Sequence, residues 1–157
     1  MKIKDATTLI QKAFEHRTSV EQWADVGCGG GTFTLALANC LKAGSKIYAV
    51  DKEMPAIPSI NNIDIKCIQA DMESIVFHPK ELDGILMANS FHYIKDKNGL
   101  IEKLKLFLKS DGMFLIVEYD TDKANRWVPF PLSFKNLTSL FSNNGFGLIE
   151  KIGERSS

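Results

Sequence analysis

The residues best placed to do chemistry gather early in the chain. Asp25-Val26-Gly27-Cys28-Gly29-Gly30-Gly31 follows an apolar run and precedes a stretch with helical patterning. Glycines let the backbone turn sharply and let a ligand approach with no Cβ in the way. The helix start beyond them offers free N–H groups to an anion. Asp51 closes the next apolar run, KIYAV, 20 residues after Gly31. An acidic side chain at that place can accept hydrogen bonds from both hydroxyls of a ribose. Together the two features predict a nucleoside-containing cofactor.

Spacing narrows the choice. A dinucleotide fingerprint, GxGxxG, needs its third glycine at position 32, where this chain has Thr32. The pattern here is GxGxG, led by Asp25. A carboxylate two residues before the first glycine suits a ligand carrying an ammonium group and repels a pyrophosphate. Thr32 and Asp25 therefore disfavour a nicotinamide-dependent oxidoreductase. The phosphate-binding pattern GxxxxGK[ST] is absent.

These residues need elements to hold them. Residues 5–17 read as a helix capped by Asp5, with Ala6, Leu9, Ile10, Ala13 and Phe14 on one face. Strands are expected over 20–26, 46–50, 63–68, 82–88 and 113–119. Helices are expected from the glycine cluster to about Leu41, with Gly44 as C-cap, over 98–109 and over 132–141. Ser110-Asp111-Gly112 reads as a turn into the fifth strand. Pro55 and Pro58 exclude a regular helix after Asp51. Phe146 to Ile152 reads as one last strand. Strands alternating with helices imply an α/β fold with a doubly wound, mostly parallel sheet and helices on both faces. Ligands of such sheets bind beyond the carboxyl ends of the strands, so the important loops begin near Gly27, Asp51, Asp71, Asn89 and Glu118.

In this order the motifs resemble the class I S-adenosylmethionine-dependent methyltransferases, over nearly the whole chain. The resemblance rests on DVGCGGG at 25–31, Asp51 in AVDKE, Ala70-Asp71-Met72, LDGILMANSFHYIKD at 82–96 and GMFLIVEYD at 112–120. It implies a Rossmann-like fold with S-adenosylmethionine as cofactor. Gly27, Cys28, Gly29 and Gly31 would hold its methionine part, with Asp25 near the amino group. Asp51, followed by Lys52, would bind the ribose. Asp71 would accept from the adenine amino group, with Met72 facing the ring. Asn89 and Ser90 would lie beside the sulfonium. Asp71 also suits an Asx-turn, and Met72 also suits a core position.

Asn89-Ser90-Phe91-His92-Tyr93 lacks the Asn-Pro-Pro-aromatic signature of adenine and glutamine methylases. It also lacks the Pro-Cys nucleophile of cytosine-C5 enzymes. It resembles the hydrophobic-His stretch of small-molecule methyltransferases, which implies methyl transfer to a small O, N or C acceptor. His92 is the candidate base, because an imidazole near its ordinary pKa of about 6.5 can take a proton at neutral pH. Its bland alternative is a helix-start or packing residue. Glu118 and Tyr119 are candidates to meet the acceptor, and Trp127 and Phe130 could wall an apolar one or pack over the sheet edge. Cys28 suits space-filling better than nucleophilic chemistry, since no histidine lies in its motif. His16 and His78 read as surface residues.

Composition sets the frame. The 157 residues fit one domain, 1–157, consumed almost entirely by the cofactor-binding core. Lys plus Arg and Asp plus Glu both number 19, so no global positive field calls for nucleic acid or an anionic membrane. Three cysteines without a CxxC pair, and no signal-peptide or membrane-spanning run, predict a reduced, cytoplasmic protein. No metal-ligand spacing occurs. The antiparallel strand with which the family closes its sheet has no residues left to build it. The expected open edge invites a partner or self-association. That short C-terminal region also keeps a second reading open, a catalytically inactive methyltransferase-like module.

Overall fold

A computed structural model of the chain describes residues 1–156. Five strands form one sheet: β1 (Gln22–Val26), β2 (Lys46–Asp51), β3 (Asp64–Gln69), β4 (Leu82–Ala88) and β5 (Leu108–Val117). Their order is β3-β2-β1-β4-β5, and every neighbouring pair is parallel. The helices are α1 (Ile3–Ile10), α2 (Thr32–Cys40), α3 (Lys97–Leu104) and α4 (Phe134–Asn143). The chain runs outward from β1 to β3, then returns to β4 on the other side of β1. The loops after β1 and β4 therefore diverge at the switch point, where parallel sheets keep their ligand crevice. Among the described residues no helix is long and apolar enough to cross a membrane.

Alternation along the strands divides the core into two layers. On one face Trp23, Ile47 and Leu86 pack under Ala6 and Ile10 of α1 and Leu37 of α2. On the other, Val26, Val50 and Met87 pack under Leu100 and Leu104 of α3 and Phe141 of α4. The proline-bearing segment after β2 is irregular, as expected. Its buried Ile57 and Ile63 join the first layer where a crossover helix would otherwise lie.

The structure moves several expected boundaries. Asp5 lies in the first turn of α1 rather than capping it, and the helix tightens into a 3₁₀ turn over Gln11–Phe14. A similar turn, Lys105–Phe107, ends α3 early. Gly44 does not cap α2, which stops at Cys40. With φ at +95° it instead turns the chain into β2, donating its N–H to Asn62 O. Ser110-Asp111-Gly112 bulges out of β5 itself, since Leu82 pairs with Leu108 but Gly84 with Met113. The sheet is wholly parallel, because the last expected strand does not form. Phe146 and Ile149 pack on one face and Ile152 on the other, so this run crosses the sheet edge instead of pairing with it. Among the described residues the outer edge of β5 carries no paired strand.

One close approach fixes how β4 sits beside β1. Gly84 lies opposite Trp23, and a Cβ at Gly84 would stand 2.4 Å from the indole ring. The indole is fully buried and donates its N–H to Glu21 at 3.2 Å, so it cannot swing away cheaply. Gly84→Ala is expected to lower stability by about 1–3 kcal/mol, the usual cost of overpacking. Urea unfolding checks this through a lower midpoint at unchanged slope.

Candidate functional site

The glycine loop is held from below. Gly27 and Cys28 both donate their N–H groups to Val50 O, at 2.8 and 2.9 Å. Gly29 N–H donates to Asp51 Oδ2 at 2.9 Å. The loop after β1 is thus tied to the end of β2, the two places that the sequence singled out. Gly27, Gly29 and Gly31 have φ of +79°, +53° and +93°. Gly27 and Gly31 are also sterically fixed, since a Cβ would meet Ser90 Cβ at 2.6 Å in one case and Ile57 at 2.6 Å in the other. At Gly29 and Gly30 a Cβ would meet nothing within 4 Å, so open space lies above the tip of the loop.

Asp25 sits beneath this loop, 1% exposed. Thr34, on the first turns of α2, donates its hydroxyl to Asp25 Oδ2 at 2.6 Å. Among the described residues, Asp25 Oδ1 is the one buried side-chain oxygen or nitrogen without a hydrogen-bond partner. Burial pushes the Asp25 carboxyl up to about 7, Asp51 adding to the rise and Thr34 opposing it. A buried carboxylate oxygen with no donor is costly alone and well satisfied by a ligand ammonium. Burial, with the charges of Asp25 and Asp51, also pushes the Cys28 thiol well above its ordinary range. That fits a space-filling Cys28 and not a nucleophile.

The other predicted cofactor residues lie around the same crevice. Asp51 accepts from Glu53 N–H through Oδ1 as well as from Gly29, yet each carboxylate oxygen keeps a lone pair for a further donor. Lys52 is exposed, and its carbonyl accepts from Gln69. Asp71 makes an Asx-turn, accepting from Glu73 N–H through Oδ1 at 2.7 Å and leaving Oδ2 without a protein donor. Met72 is half-buried, its sulfur 2.8 Å from where a Gly27 Cβ would stand. Asn89 follows β4 with φ at +54°, and its N–H donates to Val117 O. Ser90 is buried and bonds Val26 O at 2.9 Å, joining the loop after β4 to the end of β1.

His92, Glu118 and Tyr119 come together at the ends of β4 and β5. His92 Nδ1 and Glu118 Oε2 are 2.7 Å apart, with the side chains 4% and 10% exposed. Tyr93 and Tyr119, 56% and 45% exposed, set their rings 4.4 and 6.1 Å from the imidazole. The segment carrying Trp127 and Phe130 folds back here. Phe130 N–H donates to His92 O at 3.0 Å. Phe130 O accepts from the buried Lys97 ammonium at 2.5 Å, which also donates to Ile94 O at 2.6 Å. Burial lowers the Lys97 pKa. Trp127 remains largely exposed, and His16 and His78 are surface residues. Sequence reasoning missed Thr34 and Lys97, for neither belongs to a motif and their contacts, Thr34 with Asp25 and Lys97 with Ile94 O and Phe130 O, depend on how the helices lie against the strand ends. A cavity of about 1620 Å³ along the outer edge of β5 reaches Asn89, Glu118 and Tyr119 at one end.

Comparison with known proteins follows the same line. The sequence profile of the methyltransferase domain family matches residues 24–116. No curated protein matches the chain by sequence. Among solved structures, the YcgJ protein from Bacillus subtilis is similar at 19% identity and a TM-score of 0.69, over 92% of this chain and 69% of that one. An S-adenosylmethionine-dependent methyltransferase from Aquifex aeolicus gives 17% and 0.66, over 94% and 88%. Phosphoethanolamine N-methyltransferase 2 of Haemonchus contortus, solved with phosphomonomethylethanolamine and S-adenosylhomocysteine, gives 20% and 0.67, over 93% and 38%. The tied glycine loop, the carboxylate at the end of β2, the parallel order and the matched profile agree: the chain belongs to the methyltransferase domain family, with the class I fold and S-adenosylmethionine as its cofactor.

Proposed function

We propose that this chain is an enzyme that moves a methyl group to a small-molecule acceptor held where β4 and β5 end. The observation that carries the reading is Asp25 Oδ1, a buried carboxylate oxygen lacking a donor beneath a loop with open space above it. The cofactor's contribution when bound is an electrophilic methyl group on a sulfonium, with a neutral thioether as leaving group. The residues of the chain hold and align. Asp25 receives the ammonium, Asp51 the ribose hydroxyls, and Asp71 and Met72 the adenine. Asn89 and Ser90 shape the passage between that crevice and His92. Alignment of the acceptor and exclusion of water then carry most of the rate.

A small acceptor fits two features. Charge is balanced overall, and the aromatic rings of Tyr93 and Tyr119 stand beside His92 at the ends of β4 and β5. One structural relative is solved with a small phosphorylated amine, which supports an acceptor of that scale. Three unpaired cysteines suit a reducing compartment such as the cytoplasm.

Calorimetry with S-adenosylhomocysteine tests the cofactor site directly. Heat of binding at micromolar ligand is expected, and none at high micromolar concentration sinks the reading. Gly29→Val is the local probe. A β-branched residue at φ +53° is strained by roughly 1–2 kcal/mol, and its side chain would enter the open mouth of the loop. Affinity is expected to fall at least about tenfold, the equivalent of 1.4 kcal/mol, with the far-ultraviolet spectrum unchanged. Full affinity in this variant would show that the ligand does not rest on the loop.

A further inference from the structure

From the walls and the charges along the outer edge of β5 we infer that this edge is a docking slot for an extended strand of a partner protein. The strand lies antiparallel to β5, with basic residues at its N-terminal end, an apolar middle and acidic residues at its C-terminal end.

The slot has a built far wall. After α4 the chain runs back past the edge of β5, and contacts at both ends hold it there. At one end the Phe146 N–H donates to Phe141 O at 3.1 Å, and the Phe146 ring meets Phe114 and Phe141 edge-on. At the other, Lys151 pairs with Asp120 and Arg155 with Asp5 of α1, each at 3.3 Å. Among the described residues no backbone hydrogen bond joins residues 146–156 to β5. The cavity of about 1620 Å³ is lined by both.

Backbone and side chains say what fits. Val117 O accepts from the Asn89 N–H on the β4 side. Backbone groups alternate in direction along a strand, so Leu115 also faces β4, while Phe114 and Ile116 turn their N–H and C=O groups into the slot. Leu9 and Ile10 of α1 wall one side of it, and Leu137 and Phe141 of α4 the other. A strand covered on both faces needs a nearly continuous apolar run.

Charge sets its direction. Beside the start of β5 the slot is lined by Lys80, Lys105 and Lys109 against one carboxylate, Asp111. Among the described residues Lys80 and Lys105 have no ion-pair partner. Beside the end of β5 stand Asp120, Glu150 and Glu154, with Lys151 shared between the first and the last. Complementary charge therefore puts the basic end of the occupant at the end of β5 and its acidic end at the start. Antiparallel pairing brings the occupant's N-terminal side to the acidic end and its C-terminal side to the basic one. The β5 of a second copy has the same charge order. Its edge is screened by its own anchored run, however, so two copies meet wall to wall, whereas a lone strand enters the slot.

A capped ten-residue peptide, Lys-Lys-Val-Ile-Thr-Val-Ile-Thr-Glu-Glu, tests the slot by fluorescence anisotropy. Micromolar binding is expected, at least about tenfold tighter than for the peptide with its charged ends exchanged. The difference should vanish at about 1 M salt, where screening is strong. The Phe114 and Ile116 amides should shift on binding and gain protection from hydrogen exchange that they lack in the free protein. Ile116→Pro removes an N–H that faces the slot and none that faces β4, and should lower affinity at least about tenfold with the far-ultraviolet spectrum unchanged. A peptide with proline at its fifth position should also fail to bind, which keeps the test independent of how that variant folds. No binding, or equal binding of the exchanged peptide, overturns the inference. So does protection of both amides in the free protein, which would make the chain's own run the occupant. A concentration-dependent dimer in sedimentation, lost in Ile116→Pro, would overturn it in favour of a second copy.

Discussion

Asp25→Asn is expected to make the cofactor-free protein more stable at pH 8 while removing most of its affinity for S-adenosylhomocysteine. The Asp25 carboxyl is pushed to about 7 by burial, whereas the unfolded chain returns it to about 3.9. Between those values the folded protein holds a proton that the unfolded chain releases. Stability therefore falls as pH rises from about 4 to about 7 and levels off above. The ceiling on that loss is on the order of 4 kcal/mol, three pKa units at 1.36 kcal/mol each. Asparagine keeps an acceptor for the Thr34 hydroxyl and carries no charge at any pH, so it escapes the loss. The variant's melting temperature should exceed wild type at pH 8 by several degrees, and the gap should close towards pH 4. Binding should move the other way. The ligand ammonium loses its buried counter-charge, and affinity at pH 8 is expected to drop by about 10²-fold or more. Wild-type affinity should itself fall about tenfold per pH unit below 7, as Asp25 must give up its proton first, while the variant stays flat. Differential scanning fluorimetry and calorimetry across pH 5–8 check both limbs. A variant no more stable than wild type at pH 8, or one that binds as well, would refute the role.

This trade of stability for function was only half legible in the sequence. The positions of Asp25, the glycines and Asp51 follow from strand-end spacing, because parallel strands of similar length deliver their carboxyl ends to one edge. What Asp25 experiences there does not follow from spacing, since its partner Thr34 and its burial depend on how α2 lies on the sheet. Likewise, His92 and Glu118 could each be marked as a residue after a strand. Their 2.7 Å contact, between residues 26 apart in the chain, arises because β4 and β5 are neighbours in parallel register, from Ile85 opposite Phe114 to Ala88 opposite Val117, a pairing that no local pattern encodes. The run from Phe146 to Ile152 shows the opposite failure. Its apolar residues read as a strand, but the same residues are satisfied by reaching round the sheet edge to both core layers. Periodicity reports that side chains are buried, not which element buries them.

The ribose carboxylate gives the second large effect, and it separates contact with the ligand from support of the loop. Asp51 offers a lone pair on each oxygen beyond those taken by Gly29 and Glu53. Two charge-assisted hydrogen bonds to a ribose contribute about 1.5–3 kcal/mol each. Asp51→Ala removes both and also frees Gly29 N–H, so affinity for S-adenosylhomocysteine should fall by about 10²–10⁴-fold. Asp51→Asn is the informative companion. Its single oxygen can still hold Gly29, and its amide can donate where the carboxylate accepted, so it supports the loop while giving up the charge. If ligand contact dominates, Asp51→Asn should lose at least about tenfold, since charged acceptors bond roughly twice as strongly as neutral ones. If loop support dominates, the asparagine variant should bind nearly as wild type and only alanine should fail. Asp51 is partly exposed at a strand end, so neither change should move the cofactor-free melting temperature by more than a few degrees. Calorimetry on the two variants decides between the roles, and unchanged affinity in both would remove Asp51 from the site altogether.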